Sequence, residues 1–540
     1  MADEPTNVLD SVRAADSRGR DTREGVGAAD DVTAPALPPA GGRRADAVDP
    51  LLGLDLDAET ISALQHRMDD GSLTAVDLTA AYLRRIRSVD ALTNAILFVN
   101  PRALAEAAAS DRRRAAGRVR GPLDGIPFVV KDNVDTRDLP TTAGSRALLA
   151  ARPADDATVV KRLRRAGMVL LGKANLTEWA NFRSPRSTSG WSGVGGVTRN
   201  PYALDRNASG SSTGSAVAVA ASLAQVAVGT ETDGSIVSPA GMCGVVGLKP
   251  TLGLVSRSGI VPISLAQDTA GPMARHVVDV ALVLAALQGR DGEDPATQAI
   301  PQGYPRRHPV GGAAPGEVLA GVRLGVWSRA GHSPGADRVF ARAVAALRRA
   351  GAVLVDVDLD DSQYGPDEGK ALVGEFRRDL EAYLAATPGD HPRTLKALVA
   401  FNAADPVELR WFGQETFEAA LAAKRRDTTA ARRRASTTAR RLLDDLLIGH
   451  DLDALVSPTN KVPWTTLLGG GDAFGLPHSS SPAAVTGYPS LAVPAGFGEG
   501  FPVGLSFTGP PWSEPRLLEL AHAFETLTAA RRPPTYKRTS

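Results

Sequence analysis

A repeated order of helix, glycine and apolar strand constrains the fold of this chain more than any other feature of its sequence. A helical pattern over residues 159–163 stops at Gly167 and is followed by the apolar run 168–171. The same order returns over residues 339–351 and 352–357. Glycine ends a helix readily, and helices that alternate with short β-rich runs are typical of α/β proteins. The sequence therefore predicts an α/β fold whose sheet is covered by helices.

The chain divides into a short polar segment and one long domain. Residues 1–50 are rich in Ala, Asp, Gly, Pro and Arg and lack apolar clusters, so we predict a disordered N-terminal tail there. Folded sequence follows, with a helix start of capping-box type at Thr74 and Asp77. No boundary is evident after residue 50. We predict a single large α/β domain over residues 51–540, with a helical, arginine-rich insertion over about 368–448.

Charge and composition exclude several classes of function. The 540 residues include 61 Lys and Arg against 60 Asp and Glu, a net charge of +1 that gives no electrostatic reason to bind nucleic acid or an anionic membrane. No stretch approaches the roughly 18 apolar residues of a spanning helix. Asp3 and Glu4 stand where a secretory signal would be basic. We therefore expect a cytoplasmic protein, monomeric or homodimeric, that binds neither nucleic acid nor membranes.

Metal and cofactor chemistry is not indicated. The single cysteine, Cys243, excludes an intrachain disulfide and a thiolate metal cluster, and the eight histidines form no HExxH motif. Glycines cluster at 193–196, but no strand and helix flank them in the order of a dinucleotide-binding motif. We expect no metal and no cofactor, and we interpret Cys243 as a small buried residue.

The chemistry is expected within residues 207–250, where Ser, Gly and Thr crowd together. Such loops allow a backbone to approach a substrate closely. Residues 210–214 match the GxSxG nucleophile elbow of α/β-hydrolases, but that motif follows a strand, and residues 202–209 lack the pattern of one. No histidine pattern completes a triad either. The elbow interpretation is therefore not favoured.

A second candidate nucleophile is Ser235. It follows the apolar run 225–229 and a turn, and it opens a segment to Met242 that can be helical. Unpaired N–H groups and the positive end of the helix dipole favour an oxyanion at a helix N-terminus, so the position suits acyl transfer. On the local sequence alone, a simple N-cap role for Ser235 is an equally good interpretation.

A serine nucleophile requires a base, and three lysines are candidates. Lys131 ends the apolar run 126–130. Burial there would lower its pKa from roughly 10.4 toward neutrality, because a low dielectric disfavours the charged amine. Lys173 and Lys249 also lie in glycine-rich surroundings, where a structural salt bridge is the simpler interpretation. Spacing alone does not choose among the three lysines.

Four blocks of sequence follow one another along the chain: GIPFVVKDN at 125–133, GSSTGS at 210–215, GTETDGSI at 229–236 and GLKPT at 247–251. In this order they resemble the successive motifs of the amidase signature family. The match continues through residues 267–272 and 487–490 and covers residues 51–535 approximately. The resemblance implies a central mixed sheet flanked by helices and a Ser, cis-Ser, Lys triad.

Carried over block by block, the resemblance assigns a role to each site residue. It implies that Ser235 is the nucleophile, Ser211 a bridging serine after a cis peptide bond, and Lys131 the base. Neutral Lys131 would take a proton from Ser211 as Ser211 takes one from Ser235. The intact triad argues against a non-catalytic scaffold that only binds a partner. The other implied site residues are Thr232, Asp233, Gly234 and Ser235, whose backbone N–H groups form an oxyanion hole, and Ser212, which supports the network by hydrogen bonding.

Two departures from the commonest family pattern bear on the substrate. Thr213 replaces a glycine, and Val237 stands where many members, including the glutamine-hydrolysing amidotransferase subunits, have arginine. Together with residues 178–183 and 230–233, this resembles the peptide amidase branch, which removes the C-terminal amide from peptides. We therefore predict an amidase that hydrolyses C-terminal amides of peptides and releases ammonia. A general aliphatic or aryl amidase, or an acyl transferase with the same site, is the alternative.

Three less regular parts of the chain are expected to form the substrate pocket. They are the loop around Trp191, the helical stretch near Phe412 and the segment 464–481. A pocket there would seat the last residue and its primary amide while the rest of the peptide lies toward solvent. The helix-face arginines between Arg425 and Arg441, by contrast, are expected to be solvated.

Overall fold

An eleven-stranded sheet forms the centre of the fold. The computed structural model describes residues 47–473, 475 and 477–538, so positions 1–46 of the predicted tail lie outside the described residues. The described residues form one compact unit. The strands within them are β1 (Val48–Asp49), β2 (Leu54–Asp55), β3 (Ile96–Val99), β4 (Pro127–Lys131), β5 (Val169–Ala174), β6 (Trp191–Ser192), β7 (Gly196–Val197), β8 (Val226–Glu231), β9 (Val246–Lys249), β10 (Thr269–Ala274), β11 (Arg323–Val326), β12 (Val353–Asp356), β13 (Ala454–Pro458), β14 (Ser490–Gly498) and β15 (Phe501–Thr508).

Both parallel and antiparallel pairs occur in the large sheet. Its strands lie side by side in the order β12, β11, β13, β15, β14, β9, β10, β8, β4, β5 and β3. β4 runs parallel to both β5 and β8, and β11 runs parallel to both β12 and β13. The other pairs, including the hairpin of β14 and β15, are antiparallel. The mixed sheet that the family resemblance implies is therefore confirmed.

Helices cover this sheet and also form the insertion. α2 begins after Thr74, whose side chain accepts a hydrogen bond from the N–H of Asp77, as the capping pattern predicts. None of the described helices is long and apolar enough to cross a bilayer. The helices are α1 (Ile61–Asp69), α2 (Ala75–Thr93), α3 (Ala103–Ala115), α4 (Thr158–Arg165), α5 (Thr213–Ala220), α6 (Val237–Met242), α7 (Val277–Leu287), α8 (Pro315–Leu319), α9 (Pro334–Arg349), α10 (Gly365–Ala386), α11 (Leu395–Ala404), α12 (Glu415–Ala422), α13 (Arg425–Gly449), α14 (Ser481–Thr486) and α15 (Glu514–Thr528).

The two units of helix, glycine and strand that the sequence predicts are present. After α4, Gly167 adopts a φ of +90° and β5 begins at Val169. After α9, Gly351 adopts a φ of +98° and β12 follows. A residue with a Cβ is strained at such angles, so each glycine fixes where its helix stops. The α/β prediction is confirmed.

The middle of the sheet is covered on both faces. Every residue of β4, β5, β8, β9 and β10 is buried. Such strands read as continuous apolar runs because neither face meets water. Polar side chains at the ends of these strands are therefore held in a dry environment, which is the situation of Lys131 and Glu231.

The helical insertion has a core of its own. Residues from α10, α11 and α12, among them Phe376 and Phe417, form a buried cluster, and these two rings lie 5.2 Å apart. The same cluster includes Trp179 and Ile263 from the loops beside the site. The prediction that residues 368–448 are mostly helical is confirmed, and the packing ties the insertion to the site loops.

The prediction that the arginines between Arg425 and Arg441 are solvated is wrong for Arg432. Its side chain is 15% exposed and pairs with Glu375 of α10 at 2.7 Å. The sequence could not show this pair, since the two residues lie 57 positions apart and meet only when α10 and α13 pack together.

The fit of α5 against the loop after β5 can be tested at Gly214. A Cβ at this position would lie 2.3 Å from the carbonyl oxygen of Asn175 and 2.6 Å from that of Ala95. Gly214→Ala is therefore expected to destabilise the protein by about 1–3 kcal/mol through overpacking. Gly369→Ala on α10, where nothing lies within 4 Å, is the control and should stabilise by up to about 1 kcal/mol. Urea unfolding measures both, and equal midpoints would contradict the packing described.

Candidate active site

Three side chains from separate segments form a continuous line of contacts. Lys131 lies at the end of β4, Ser211 just before α5, and Ser235 after β8. Lys131 Nζ lies 2.7 Å from Ser211 Oγ, and Ser211 Oγ lies 3.0 Å from Ser235 Oγ. The Gly210–Ser211 peptide bond is cis. The structure thus brings together the three residues that the family resemblance implies for the triad.

Lys131 is completely buried, and its surroundings favour the neutral amine. Burial lowers the pKa of Lys131 to about 7, and the carboxyl groups of Asp268 and Glu231 oppose this shift only in part. The amine also contacts Thr230, whose hydroxyl oxygen lies 2.9 Å and whose carbonyl oxygen lies 3.3 Å from Nζ. At neutral pH, Lys131 is therefore neutral in a large fraction of the molecules and able to accept a proton there.

The other two candidate lysines serve different contacts. Lys173 pairs with the buried carboxylate of Asp132 at 3.0 Å, which is the structural role considered for it. Burial lowers the pKa of Lys249 to about 8, but its amine donates to the carbonyl oxygen of Pro250 at 3.2 Å. Among the described contacts, Lys131 alone of the three lysines reaches a serine of the line.

The oxyanion turn, defined as residues 232–235, presents free N–H groups beside Ser235. Among the described residues, no group accepts a hydrogen bond from the backbone N–H of any of these four residues. Gly234 has a φ of +77°, and a Cβ there would lie 2.9 Å from Ser480 Oγ. Asp233 accepts hydrogen bonds from the hydroxyls of Ser480 and Ser481, each at 2.6 Å. These contacts hold the turn against the start of α14.

Ser235 does not cap the helix that follows it. The N–H groups of Ile236 and Val237 donate to Glu231 Oε2 at 2.6 and 3.0 Å, so a carboxylate caps α6 instead. The N-cap interpretation of Ser235 is therefore wrong, and the N–H groups of this helix start are not free for an oxyanion. The sequence carries no signal for this cap, because Glu231 is brought to the helix start only by the turn between them.

Ser212 ties two segments of the site together. Its hydroxyl donates to the carbonyl oxygen of Thr230 at 2.9 Å and accepts from the N–H of Thr230 at 3.1 Å. Its own N–H donates to the carbonyl oxygen of Ser235 at 3.1 Å. Ser212 thereby fixes the spacing between the end of β8 and the loop that carries Ser211.

Ser235 opens onto a cavity of about 290 Å³. Of the three predicted wall segments, only 464–481 contributes to it, through His478, Ser480 and Ser481. Trp191 and Phe412 do not line the cavity, and the prediction is wrong for them. Other wall residues come from distant segments, and nothing in their local sequence indicates that they line a cavity: Ile263, Leu372 and Thr459.

Trp191 and Phe412 instead pack around a buried arginine. Their rings lie 5.0 Å apart, and the Arg183 guanidinium lies 4.2 Å from the centre of the Phe412 ring. Arg183 also pairs with Glu178 at 2.6 Å. The block at 178–183 thus contains a buried ion pair, and two of its other members, Asn181 and Phe182, line the cavity.

No group of three or more His, Cys, Asp or Glu side chains in the described part of the chain could hold a metal ion. Cys243 is buried, and burial raises the pKa of its thiol above the ordinary value.

Comparisons with known proteins place the chain in a family. The family model described as Amidase matches residues 77–518. A probable amidase of Arabidopsis thaliana is 40% identical over 498 residues, which cover 88% of this chain and 91% of that protein. A glutamyl-tRNA(Gln) amidotransferase subunit of Chloroflexus aggregans is 35% identical over 87% of this chain and 96% of its own length.

A solved structure is similar over nearly its whole length. The native peptide amidase of Stenotrophomonas maltophilia matches with a TM-score of 0.81 and 49% sequence identity, over 88% of this chain and 98% of that one. The fold, the motifs and these relatives lead to one conclusion: this chain belongs to the amidase signature family and is a hydrolase of amide C–N bonds.

Proposed function

We propose that this chain hydrolyses carboxamides through an acyl-enzyme on Ser235, and that its substrates are peptides with a C-terminal amide. The observation that supports the chemistry is the line of contacts from Lys131 through Ser211 to Ser235, at 2.7 and 3.0 Å. The line ends at the wall of a cavity. A nucleophile within reach of a base and open to substrate is the arrangement that covalent catalysis requires.

Lys131 acts as the base because its surroundings direct its lone pair. A neutral amine has two N–H bonds, and the hydroxyl and carbonyl oxygens of Thr230 accept them at 2.9 and 3.3 Å. The lone pair then faces Ser211 Oγ. Lys131 takes the proton of the Ser211 hydroxyl, Ser211 takes the proton of Ser235, and Ser235 Oγ attacks the carbonyl carbon of the amide.

The oxyanion turn stabilises the intermediate that this attack produces. The carbonyl oxygen becomes negatively charged, and the free N–H groups of residues 232–235 donate to it. When the intermediate collapses, the C–N bond breaks and the relay returns its proton to the leaving nitrogen, so a primary amide releases ammonia. Water then attacks the ester carbonyl carbon and gives one proton to the relay. The C–O bond to Ser235 breaks, the relay returns that proton to Ser235 Oγ, and the carboxylic acid leaves. A different nucleophile in place of water would give acyl transfer.

The choice of substrate rests on the relatives and on the cavity. The chain is 49% identical to the peptide amidase of Stenotrophomonas maltophilia, against 35% to the amidotransferase subunit of Chloroflexus aggregans. Phe182, Ile263 and Leu372 supply apolar wall near Ser235, which suits the side chain of a terminal residue. Val237 is buried and offers no charge to a glutamine substrate. A general aliphatic or aryl amidase is the second candidate, because it would use the same triad.

Removing the nucleophile should abolish turnover. Ser235→Ala is expected to lower kcat by on the order of 10⁴ or more, and hydroxylamine should divert the wild-type product to a hydroxamate. The control is Ser215→Ala, since Ser215 is also a buried serine but donates to the carbonyl of Val228 outside the site. Steady-state kinetics on one primary amide compares them. Near-normal turnover by Ser235→Ala would assign the nucleophile to another residue.

The pH profile should report the Lys131 amine. Because the protonated amine cannot accept a proton, kcat/KM should rise with pH and level off above the Lys131 pKa of about 7. Lys131→Met should lack this rising limb, and its rate should be lower than that of the wild type by roughly 10²–10⁴-fold. Lys161→Met, which removes a half-buried lysine paired with the exposed Asp155, should keep both the rising limb and the rate. A wild-type profile with no rise between pH 5 and about 8 would contradict a neutral Lys131.

Matched peptides test the substrate class. Peptides that differ only in a C-terminal amide or free acid are incubated with the enzyme, and ammonia and product masses are measured. We expect ammonia release and a one-unit mass gain from the amides, with internal bonds intact. Discrimination among terminal apolar side chains should be modest, roughly tenfold to a few hundredfold. Fast turnover of aryl or fatty amides beside inert peptide amides would overturn the substrate assignment while leaving the chemistry in place.

A further inference from the structure

The first residue of the oxyanion turn is anchored through its carbonyl oxygen and its hydroxyl. The side-chain amide of Gln267 donates to the carbonyl oxygen of Thr232 at 3.0 Å, and the hydroxyl of Thr232 donates to Asp268 Oδ1 at 2.5 Å. Gln267 and Asp268 are consecutive, lie just before β10 and are buried. The position of the turn therefore depends on how these two side chains are oriented.

Arg432 of the insertion orients the first of these anchors. Its Nη1 donates to Gln267 Oε1 at 2.6 Å, while Gln267 Nε2 donates to Glu368 Oε1 at 2.6 Å as well as to Thr232. The two ends of a side-chain amide have nearly the same shape, so their partners decide which end faces where. With Arg432 against the oxygen, the NH₂ group is the end that faces Thr232.

Arg432 reaches the second anchor by a separate route. Its Nε and Nη2 donate to the two oxygens of Glu375 at 2.9 and 2.7 Å. Glu375 Oε2 accepts the hydroxyl of Ser264 at 2.5 Å, and the N–H of Ser264 donates to Asp268 Oδ2 at 3.0 Å. Asp268 in turn accepts a hydrogen bond from the Thr232 hydroxyl. The two routes form a closed ring that joins α10 and α13 to the start of the oxyanion turn.

We propose that Arg432 is a positioning residue for the oxyanion turn, so that the helical insertion controls how well the turn stabilises the transition state. The inference rests on the proposed acyl-enzyme chemistry. Three N–H donors of one planar guanidinium serve Gln267 and Glu375 at the same time. A lysine ammonium is a single point charge and cannot reproduce this fork.

The expected signature is a loss of kcat with little change in KM. Donors aimed at an oxyanion act on charge that develops only in the transition state, so their displacement affects rate more than substrate binding. Arg432→Gln should lower kcat on a primary amide roughly tenfold to a hundredfold with KM within about threefold, and Arg432→Lys should not restore it. Affinity for a peptide aldehyde, which forms a tetrahedral adduct with Ser235, should fall by a similar factor. Affinity for the matched peptide alcohol, which forms no adduct, should stay unchanged.

The control removes a similar ion pair from the same two helices. Arg434 of α13 pairs with Asp367 of α10 through two hydrogen bonds of 2.8 and 2.6 Å, in an exposed position, and among the described residues its partner is Asp367 rather than Gln267 or Glu375. Arg434→Gln should leave kcat and aldehyde affinity within about twofold of wild type, because exposed ion pairs contribute little. Thermal unfolding of each variant verifies that it is folded before its kinetics are compared.

A second variant keeps the inference testable if Arg432→Gln does not fold. Gln267→Glu retains an acceptor for Arg432 but replaces the donor to the Thr232 carbonyl with an oxygen, so it should show the same losses of kcat and aldehyde affinity. If both quantities stay within about twofold of the Arg434→Gln control in whichever of the two variants folds, the positioning role is overturned. A wild-type enzyme that turns over no amide and binds no aldehyde would instead overturn the proposed function, and this inference with it.

Discussion

The buried contact between the amine of Lys131 and the hydroxyl of Ser211 is the interaction on which the rest of the site depends. Lys173 is equally buried, yet it keeps its charge partner, the carboxylate of Asp132 at 3.0 Å. Lys131 contacts two hydroxyls and a carbonyl instead, and burial lowers its pKa to about 7. Removing a charge from water without a paired counter-charge is unfavourable, so the fold itself favours the neutral form of this lysine.

The sheet explains why this contact forms. β4 and β8 are parallel neighbours in the buried middle of the sheet, which places Lys131 at the end of one strand beside Thr230 near the end of the other. Ser212 bonds to both backbone groups of Thr230 and so brings the loop before α5 to the same edge. The oxyanion turn continues directly from β8. Each part of the site is thus positioned by an element whose own stability comes from burial in the core.

Sequence patterns predict the features that depend on local chemistry and miss those that depend on packing. The alternation of helix, glycine and strand predicts the α/β fold, because Gly167 and Gly351 stop helices through their own backbone angles. Spacing could not choose among three lysines, since the contact of Lys131 with Ser211 joins residues 80 positions apart. The pairing of Arg432 with Glu375 was missed for the same reason. The cap on α6 by Glu231 was missed because only the turn between them brings this carboxyl group to the helix start. The family motifs predict which lysine belongs to the triad, a choice that spacing could not make.

The proposed mechanism depends on the protonation state of Lys131, because only the neutral amine can accept the proton of Ser211. This protonation state can be measured directly by nitrogen NMR of the wild-type enzyme carrying ¹⁵N-labelled lysine, with the resonance of Lys131 identified by its absence from Lys131→Met. We expect this amine to titrate near pH 7, because burial lowers the pKa of Lys131 to about 7. An amine that stays protonated up to the ordinary lysine range of about 10.4 would contradict the proposed mechanism, because an ammonium cannot take the proton of Ser211.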